Sequence, residues 1–358
     1  MFTKSLKVTD FTGQHIYVGL DVHLKSWMVS IYSDEFELKS FSQPPDALKL
    51  ANYLKHHYPN ATFHLAYEAG FCGFWIHRAF KEQGIECIVI HAGDIPSSDK
   101  EHKRKTDGVD SRKIARGLKN NELNSIFVPG EQQEADRMLI RGRGKEVKDL
   151  TSIKNRIKAF LKIYGINIPE NFTAGNWTNS FTEWLNQLSF IEPSSKLLLQ
   201  NYVQQANFLI AQRKQADQQI QALARGSYYA NRVKLLTTIP AVGILTAMTF
   251  LTEIGDINRF KNIDHLCSYC GLAPDCRNSG QTERIMGITR RGNAILKTIL
   301  IECSWMAIRK DPALLLYYKQ LLPRMNGNKA IVKVARKLLN RIAYVMRHQQ
   351  AYVIGLVA

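Results

Sequence analysis

Negative charge is scarce in this sequence. Its 358 residues hold 31 Asp and Glu against 48 Lys and Arg, a net charge of +17. So large an excess argues against a basic partner and for a polyanion. Long apolar runs are also missing. The stretch LLTTIPAVGILTAMTFL at 235–251 carries a proline, a glycine and four threonines, which leaves it at or below the minimum for a membrane-spanning helix. The N-terminus has no apolar signal region. The six cysteines form no disulfide framework, so the expectation is a reducing cytoplasm and no membrane partner. A phosphate-binding glycine loop is absent as well, and with the positive charge this disfavours a sugar-kinase-like ATPase.

The positive charge is concentrated. Residues 141–162 hold eight bases and two acids, and residues 284–347 hold fourteen bases and two acids, while the rest of the chain is near neutral. A solvated helix face rarely collects such an imbalance, and nucleic acid is the commonest partner that explains it.

Periodicity divides the chain into three parts. HIYVGLDVH (15–23), SWMVSIYS and FELKSFSQ read as strands of an antiparallel meander. PPDALKLANYLKHHY reads as a helix, TFHLAYEAG (62–70) as a strand, GFWIHRAFKEQG as a helix ending at Gly84, and IECIVIHA (85–92) as a strand. This βββαβαβ order is that of an RNase H-like domain, expected over 1–125. Residues 126–225 are expected to form a helical, coiled-coil connector. Its two long amphipathic helices, EVKDLTSIKNRIKAFLKIYGI and YVQQANFLIAQRKQADQQIQALARG, would make an antiparallel pair or a dimer arm, linked by residues 166–177. Residues 226–358 read as mostly helical. Pro240 and Gly243 lie in a helix-hairpin-helix or an ordinary tight helix pair, and a basic amphipathic helix covers 328–346. The fold class is therefore α/β plus all-α.

Four acids lie where chemistry could use them. Asp21 and Glu68 end the first and fourth strands, which are neighbours in an RNase H-like sheet. Asp107 and Asp110 lie one turn apart in KTDGVDSRKIARGL (105–118), where like charges repel unless a cation lies between them. An N-cap at Asp107 with a solvated Asp110 is one reading. The other joins all four carboxylates as hard oxygen ligands for Mg²⁺ or Mn²⁺, a donor set able to clamp both oxygens of a phosphodiester displacement. In that reading metal, not lysine, holds the aspartates together. The bases around them, Arg104, Lys105 and Arg112, and those of the connector, Arg141, Arg143 and Lys154, would meet the nucleic-acid backbone.

YVGLDVH, YEAG and KTDGVDSRKIARGL closely resemble the DEDD transposases of the insertion-sequence one-ten family. IPAVGILTAMTFLTEIGDINRF, YCGLAPDCRNSG and GITRRGNAILKTILI resemble its second conserved region. The resemblance implies a RuvC-like domain, a coiled-coil connection and a C-terminal transposase domain. It further implies a recombinase that moves its own element with double-stranded DNA and a non-coding bridge RNA as partners, acting as a homo-oligomer (dimer or tetramer). It places the family's acids at Asp21, Glu68, Asp107 and Asp110, and its nucleophilic serine at Ser279, with Arg277, Arg290 and Arg291 near the phosphate. Read alone, Ser279 and Gly280 are a Ser-Gly turn in a polar loop.

Two other groups read as structural. His265, Cys267, Cys270 and Cys276 contain one CxxC, too little for a zinc site, and small buried thiols are favoured. Phe71, Phe74 and Trp75 read as helix core rather than a base-stacking platform. The functional alternatives to an RNA-guided transposase are a metal-dependent nuclease of Holliday-junction-resolvase type with water as nucleophile, and a non-catalytic nucleic-acid-binding protein.

Overall fold

The computed structural model describes residues 10–95, 107–172, 177–279, 282–289 and 291–355, without the side chains of 107, 275–279 and 282–286. The chain divides into two compact units, Met1–Val128 and Pro129–Ala358.

The first unit is built on five strands: β1 (His15–Val22), β2 (Trp27–Tyr32), β3 (Glu37–Gln43), β4 (Thr62–Glu68) and β5 (Glu86–Ile90), in the sheet order β3-β2-β1-β4-β5. β1, β2 and β3 pair antiparallel, and β4 and β5 extend the sheet in parallel with β1. The connections explain the change of direction. Short turns join the meander strands, whereas the parallel strands need helical crossovers, supplied by α1 (Ala47–His57) and α2 (Trp75–Glu82). Asp46 fixes the start of α1 by accepting from the Lys49 amide. Ile16, Val18 and Leu20 of β1 are fully buried in one core with Leu50, Leu54, Ile76 and Phe80 of these helices. Each such side chain contributes about 1.5–3 kcal/mol. The alternate residues Tyr17, Gly19 and Asp21 face the other side of the sheet. There helix α3 (Asp107–Lys119) packs, with Ile114 against Ala66 and Ile90. The mixed sheet followed by helices fits the expected RNase H-like domain.

The second unit starts with α4 (Glu131–Ile163), α5 (Asn179–Gln187) and α6 (Pro193–Arg225). Ile140 near the start of α4 shares a core with Ile220 and Ala224 near the end of α6. Leu150–Phe160 of α4 share another with Leu199, Val203 and Ala206. The two long helices are thus an antiparallel pair. Both start earlier than the sequence reading placed them, at the signals of Gly130 as N-cap and Pro193 in the first turn. The link between them holds the extra helix α5, whose N-cap Thr178 accepts from the Phe181 amide.

The remaining helices are α7 (Ala230–Leu236), α8 (Ile244–Ile254), α9 (Ile263–Tyr269), α10 (Ala294–Ala307), α11 (Pro312–Leu321) and α12 (Gly327–His348). In the α7–α8 connection the left-handed residue is Ala241, at φ 70°, while Gly243 caps α8 with φ −90°. The segment around Ser279, expected as a polar loop, is instead a hairpin of β6 (Pro274–Ser279) and β7 (Thr282–Ile288), with Ser279 paired to Thr282. β6, PDCRNS, has no apolar alternation of its own, so its strand state comes from pairing with β7. Among the described residues no helix is long and apolar enough to cross a membrane.

Candidate active site

The register of the sheet places the first two acids. Leu20 of β1 lies opposite Tyr67 of β4 in the parallel ladder, and the next positions are Asp21 and Glu68. Neighbouring strands run about 4.8 Å apart. Leu20 and Tyr67 are buried in the α1–α2 core, so alternation turns both acids to the α3 face.

Gly19 then determines how closely α3 approaches. A Cβ built on Gly19 would stand 2.1 Å from the Ser111 carbonyl oxygen and 2.5 Å from the Ala115 amide nitrogen. Only a hydrogen fits between this strand and this helix. A hydroxyl relay pins the contact: Ser30 Oγ is 2.8 Å from Ser111 Oγ and 3.0 Å from Ser40 Oγ. The first turn of α3 thereby lies over the acid end of β1. Met28, the register partner of Asp21, has its Cε 3.9 Å from where a Cβ on Gly108 would be. Asp107 and Asp110 flank Gly108. Gly19→Ala is expected to destabilise the protein by about 3 kcal/mol, the upper range for overpacking, because the blocking atoms are backbone. A urea titration followed by circular dichroism checks this.

Asp21 and Asp110 each lie beside a basic side chain. His23 Nε2 is 3.3 Å from Asp21 Oδ2. Lys113 Nζ, on a side chain only 9% exposed, is 3.4 Å from Asp110 Oδ1. A lysine, not expected from the sequence, thus lies beside one of the paired aspartates. Its i,i+3 spacing from Asp110 was the available signal. Among the described residues no three His, Cys, Asp or Glu side chains group closely enough to hold a metal ion. The residue types are those a hard divalent cation takes: Asp21 and Glu68 follow paired ladder positions on one sheet face, and Asp107 and Asp110 lie in the first turn of the helix packed on that face.

The expected nucleic-acid contacts fall in several places. Arg112 Nε donates to Glu37 Oε1 at 2.8 Å, and this hydrogen bond raises the Arg112 pKa further. Arg141 makes a two-pronged ion pair with the buried Glu253, both hydrogen bonds 2.7 Å long, and Asn293 Nδ2 donates to the same carboxylate. Arg143 donates to Asp217 at 2.8 Å. Lys154 lies 5.2 Å over the Trp177 ring, and burial, then Arg213 and Lys158, push its pKa down. Arg291 donates its amide to Thr289 Oγ1. Ser279 and Arg277 are placed by backbone only, at the end of β6 and opposite Arg284. Arg104, Lys105 and Arg290 lie outside the described residues.

Cys267 and Cys270 are buried, and burial raises both thiol pKa values, as for neutral core thiols. The aromatics after Glu68 divide. Phe74 packs on the sheet core as expected, but Phe71 is 65% exposed and Trp75 47%. For these two the core reading is corrected, because Ile76 and Phe80 already fill the inward face of α2.

A DEDD-type transposase family model matches residues 18–166, which run from within β1 to just past the end of α4. The model described as transposase IS116/IS110/IS902 family matches residues 233–319. The chain belongs to this transposase family. It is 32% identical to a putative transposase, y4qE, of Sinorhizobium fredii over 68% of this chain and 58% of that protein. It is 29% identical to the transposase for insertion sequence element IS1533 of Leptospira borgpetersenii over 69% of this chain and 72% of that one. The transposase for insertion sequence element IS1111A of Coxiella burnetii is 27% identical over 78% and 76% of the two chains. The first of the two matched regions of this transposase-family chain contains all four acids, and the second contains Ser279.

Proposed function

We propose that this family member is a DNA transposase that cuts and exchanges strands with four carboxylates and a serine, directed to its sites by a bridge RNA. The observation that carries the reading is the register that sets Asp21 beside Glu68, with α3 packed on the same sheet face through Ser111 and Ala115 against Gly19. Asp21, Glu68, Asp107 and Asp110 would hold Mg²⁺ or Mn²⁺. Bound there, the metal would polarise the phosphoryl oxygens and offset charge developing on them.

Ser279 attacks the phosphorus, a serine–phosphate bond forms as the bond to the departing strand breaks, and the serine proton ends on that strand's oxygen. The phosphoserine keeps the bond energy, so a new strand's hydroxyl can reverse the step and reseal. Arg277, Arg290 and Arg291 would steady the phosphate. The acids belong to the first unit and Ser279 to the second, and the protein would act as a dimer or tetramer. The concentrated bases of 141–162 and 284–347 supply the polyanion affinity. A cytoplasmic, nucleoid-associated protein is the corresponding location.

A second reading, a resolvase-like nuclease with water as nucleophile, draws on one fact: the acid set lies wholly in one compact unit. Mapping covalent adducts on the active protein separates the two. Trapped with DNA and any co-purified RNA, the protein should yield a phosphoserine at Ser279 by mass spectrometry. Ser279→Ala should bind nucleic acid and give neither adduct nor recombinant product. Cleavage without any adduct favours the nuclease, and an adduct at Ser268, Ser304 or a tyrosine moves the nucleophile.

A further inference from the structure

The connection that leaves β4 and the first residue of α2 carry two aromatic rings, Phe71 and Trp75, that stay largely exposed. Phe71 is 65% exposed. Trp75 is 47% exposed and leans on the buried Trp27 with ring centroids 5.7 Å apart. The same short segment buries Ile76 and Phe80 completely, so the core has what it needs without the outward rings.

Their position is specific. Phe71 comes three residues after Glu68, where β4 leaves the sheet. The turn that follows Asp21 on the neighbouring strand carries Leu24, which is 80% exposed. Both acid-bearing strand ends therefore run straight into exposed apolar side chains at one end of one sheet. The turn itself is tied down. The buried Tyr67 donates its hydroxyl to the Gly73 carbonyl at 3.0 Å, the Gly73 amide donates to Gly70 O at 3.3 Å, and the Ala69 amide donates to Ile90 O at 2.8 Å. Phe71 is held on a braced crest, which lowers the entropy cost of presenting its ring to a ligand.

We propose that Phe71, backed by Trp75, is a stacking platform for an unpaired nucleobase of the DNA strand being cut. The inference rests on the transposase reading and adds to it a requirement for locally opened DNA. A base reaches a ring face only after leaving its own stack. Stacking on an aromatic side chain tolerates any base, since every base has a π-face. The platform thus suits an enzyme whose target sequence is specified by something other than this segment.

The test uses full-length protein and two DNA probes. One is a duplex with a central mismatch bubble carrying 2-aminopurine, and the other is its fully paired counterpart. The unaltered protein should prefer the bubble and quench the 2-aminopurine. Phe71→Ala should lose about 5- to 150-fold in bubble affinity, the cost of one lost base–aromatic stack, while its affinity for paired DNA stays the same. Phe71→Tyr should restore both preference and quenching, which a loss of folding would not allow. Equal affinity of the unaltered protein for both probes would overturn the platform alone, as would an undiminished preference in Phe71→Ala. So would a Phe71→Ala protein that changes only its oligomeric state in sedimentation, since the patch would then be a contact between copies of the chain. Failure of the unaltered protein, carrying its co-purified RNA, to bind either probe would overturn the proposed DNA strand exchange and the platform with it.

Discussion

Asp21→Asn is expected to abolish divalent-cation-dependent strand cleavage while leaving the fold intact. Loss of an outer partner of a metal ligand already costs 10–100-fold, so removing a ligand charge should cost more than about 100-fold in cleavage rate. Stability should move the other way or not at all. Asp21 and Glu68 are lateral neighbours on one face, and like charges placed opposite each other in a sheet are destabilising. An asparagine keeps the shape and can still meet His23, which is 3.3 Å from the carboxylate. A melting temperature held or raised, together with lost cleavage in a gel assay with Mg²⁺, marks a ligand. A lowered melting temperature with cleavage retained would assign Asp21 to structure alone.

Arg141→Ala should be the most destabilising change among the arginines expected to touch nucleic acid. Glu253 has no exposed side-chain surface, and Arg141 meets it with two hydrogen bonds of 2.7 Å. Removing the arginine leaves a buried carboxylate with Asn293 and no counter-charge, and such losses cost about 3–5 kcal/mol. The pair joins α4 to α8, so the damage falls on the core of the second unit. Arg143→Ala, which breaks a partly exposed pair with Asp217, should cost about 1 kcal/mol or less. Thermal denaturation of the two variants gives the comparison. A double variant, Arg141→Ala with Glu253→Gln, should recover part of the loss because the stranded charge is gone.

The sheet was legible because its strands are short apolar runs bounded by turn residues, and its order followed from meander and crossover lengths. Asp21 and Glu68 could be singled out for the same reason: each is the first charge after a buried run. What the sequence hides depends on tertiary partners. Gly19 looks like one more strand residue until α3 is seen against it. Lys113 looks like a solvated base, and Phe71 and Trp75 look like core. Arg141 and Arg143 sit in a basic block, yet their partners lie 112 and 74 residues away, and no local pattern reveals such distant carboxylates. The β6–β7 hairpin escaped because a strand without alternation takes its state from its neighbour.

The antiparallel pair α4–α6 has two apolar zones, one around Ile140 with Ile220 and one from Leu150 to Leu161 with Leu199 to Ala206. Between them the contact turns polar: Arg143 pairs with Asp217, and Glu146 Oε2 and Arg213 Nε lie buried nearby. Each 33-residue helix is about 50 Å long, so the outer zone, closed by the rings of Phe160, Phe181, Trp184 and Phe190, stands well away from the inner one. Cooperativity weakens where apolar contact thins. The far end of the pair is therefore expected to open at a lower free energy than its base, which amide hydrogen exchange along the two helices would read. Its reach is adjustable as well, since matched insertions of whole helical turns at the polar waist would lengthen the arm without repacking either zone.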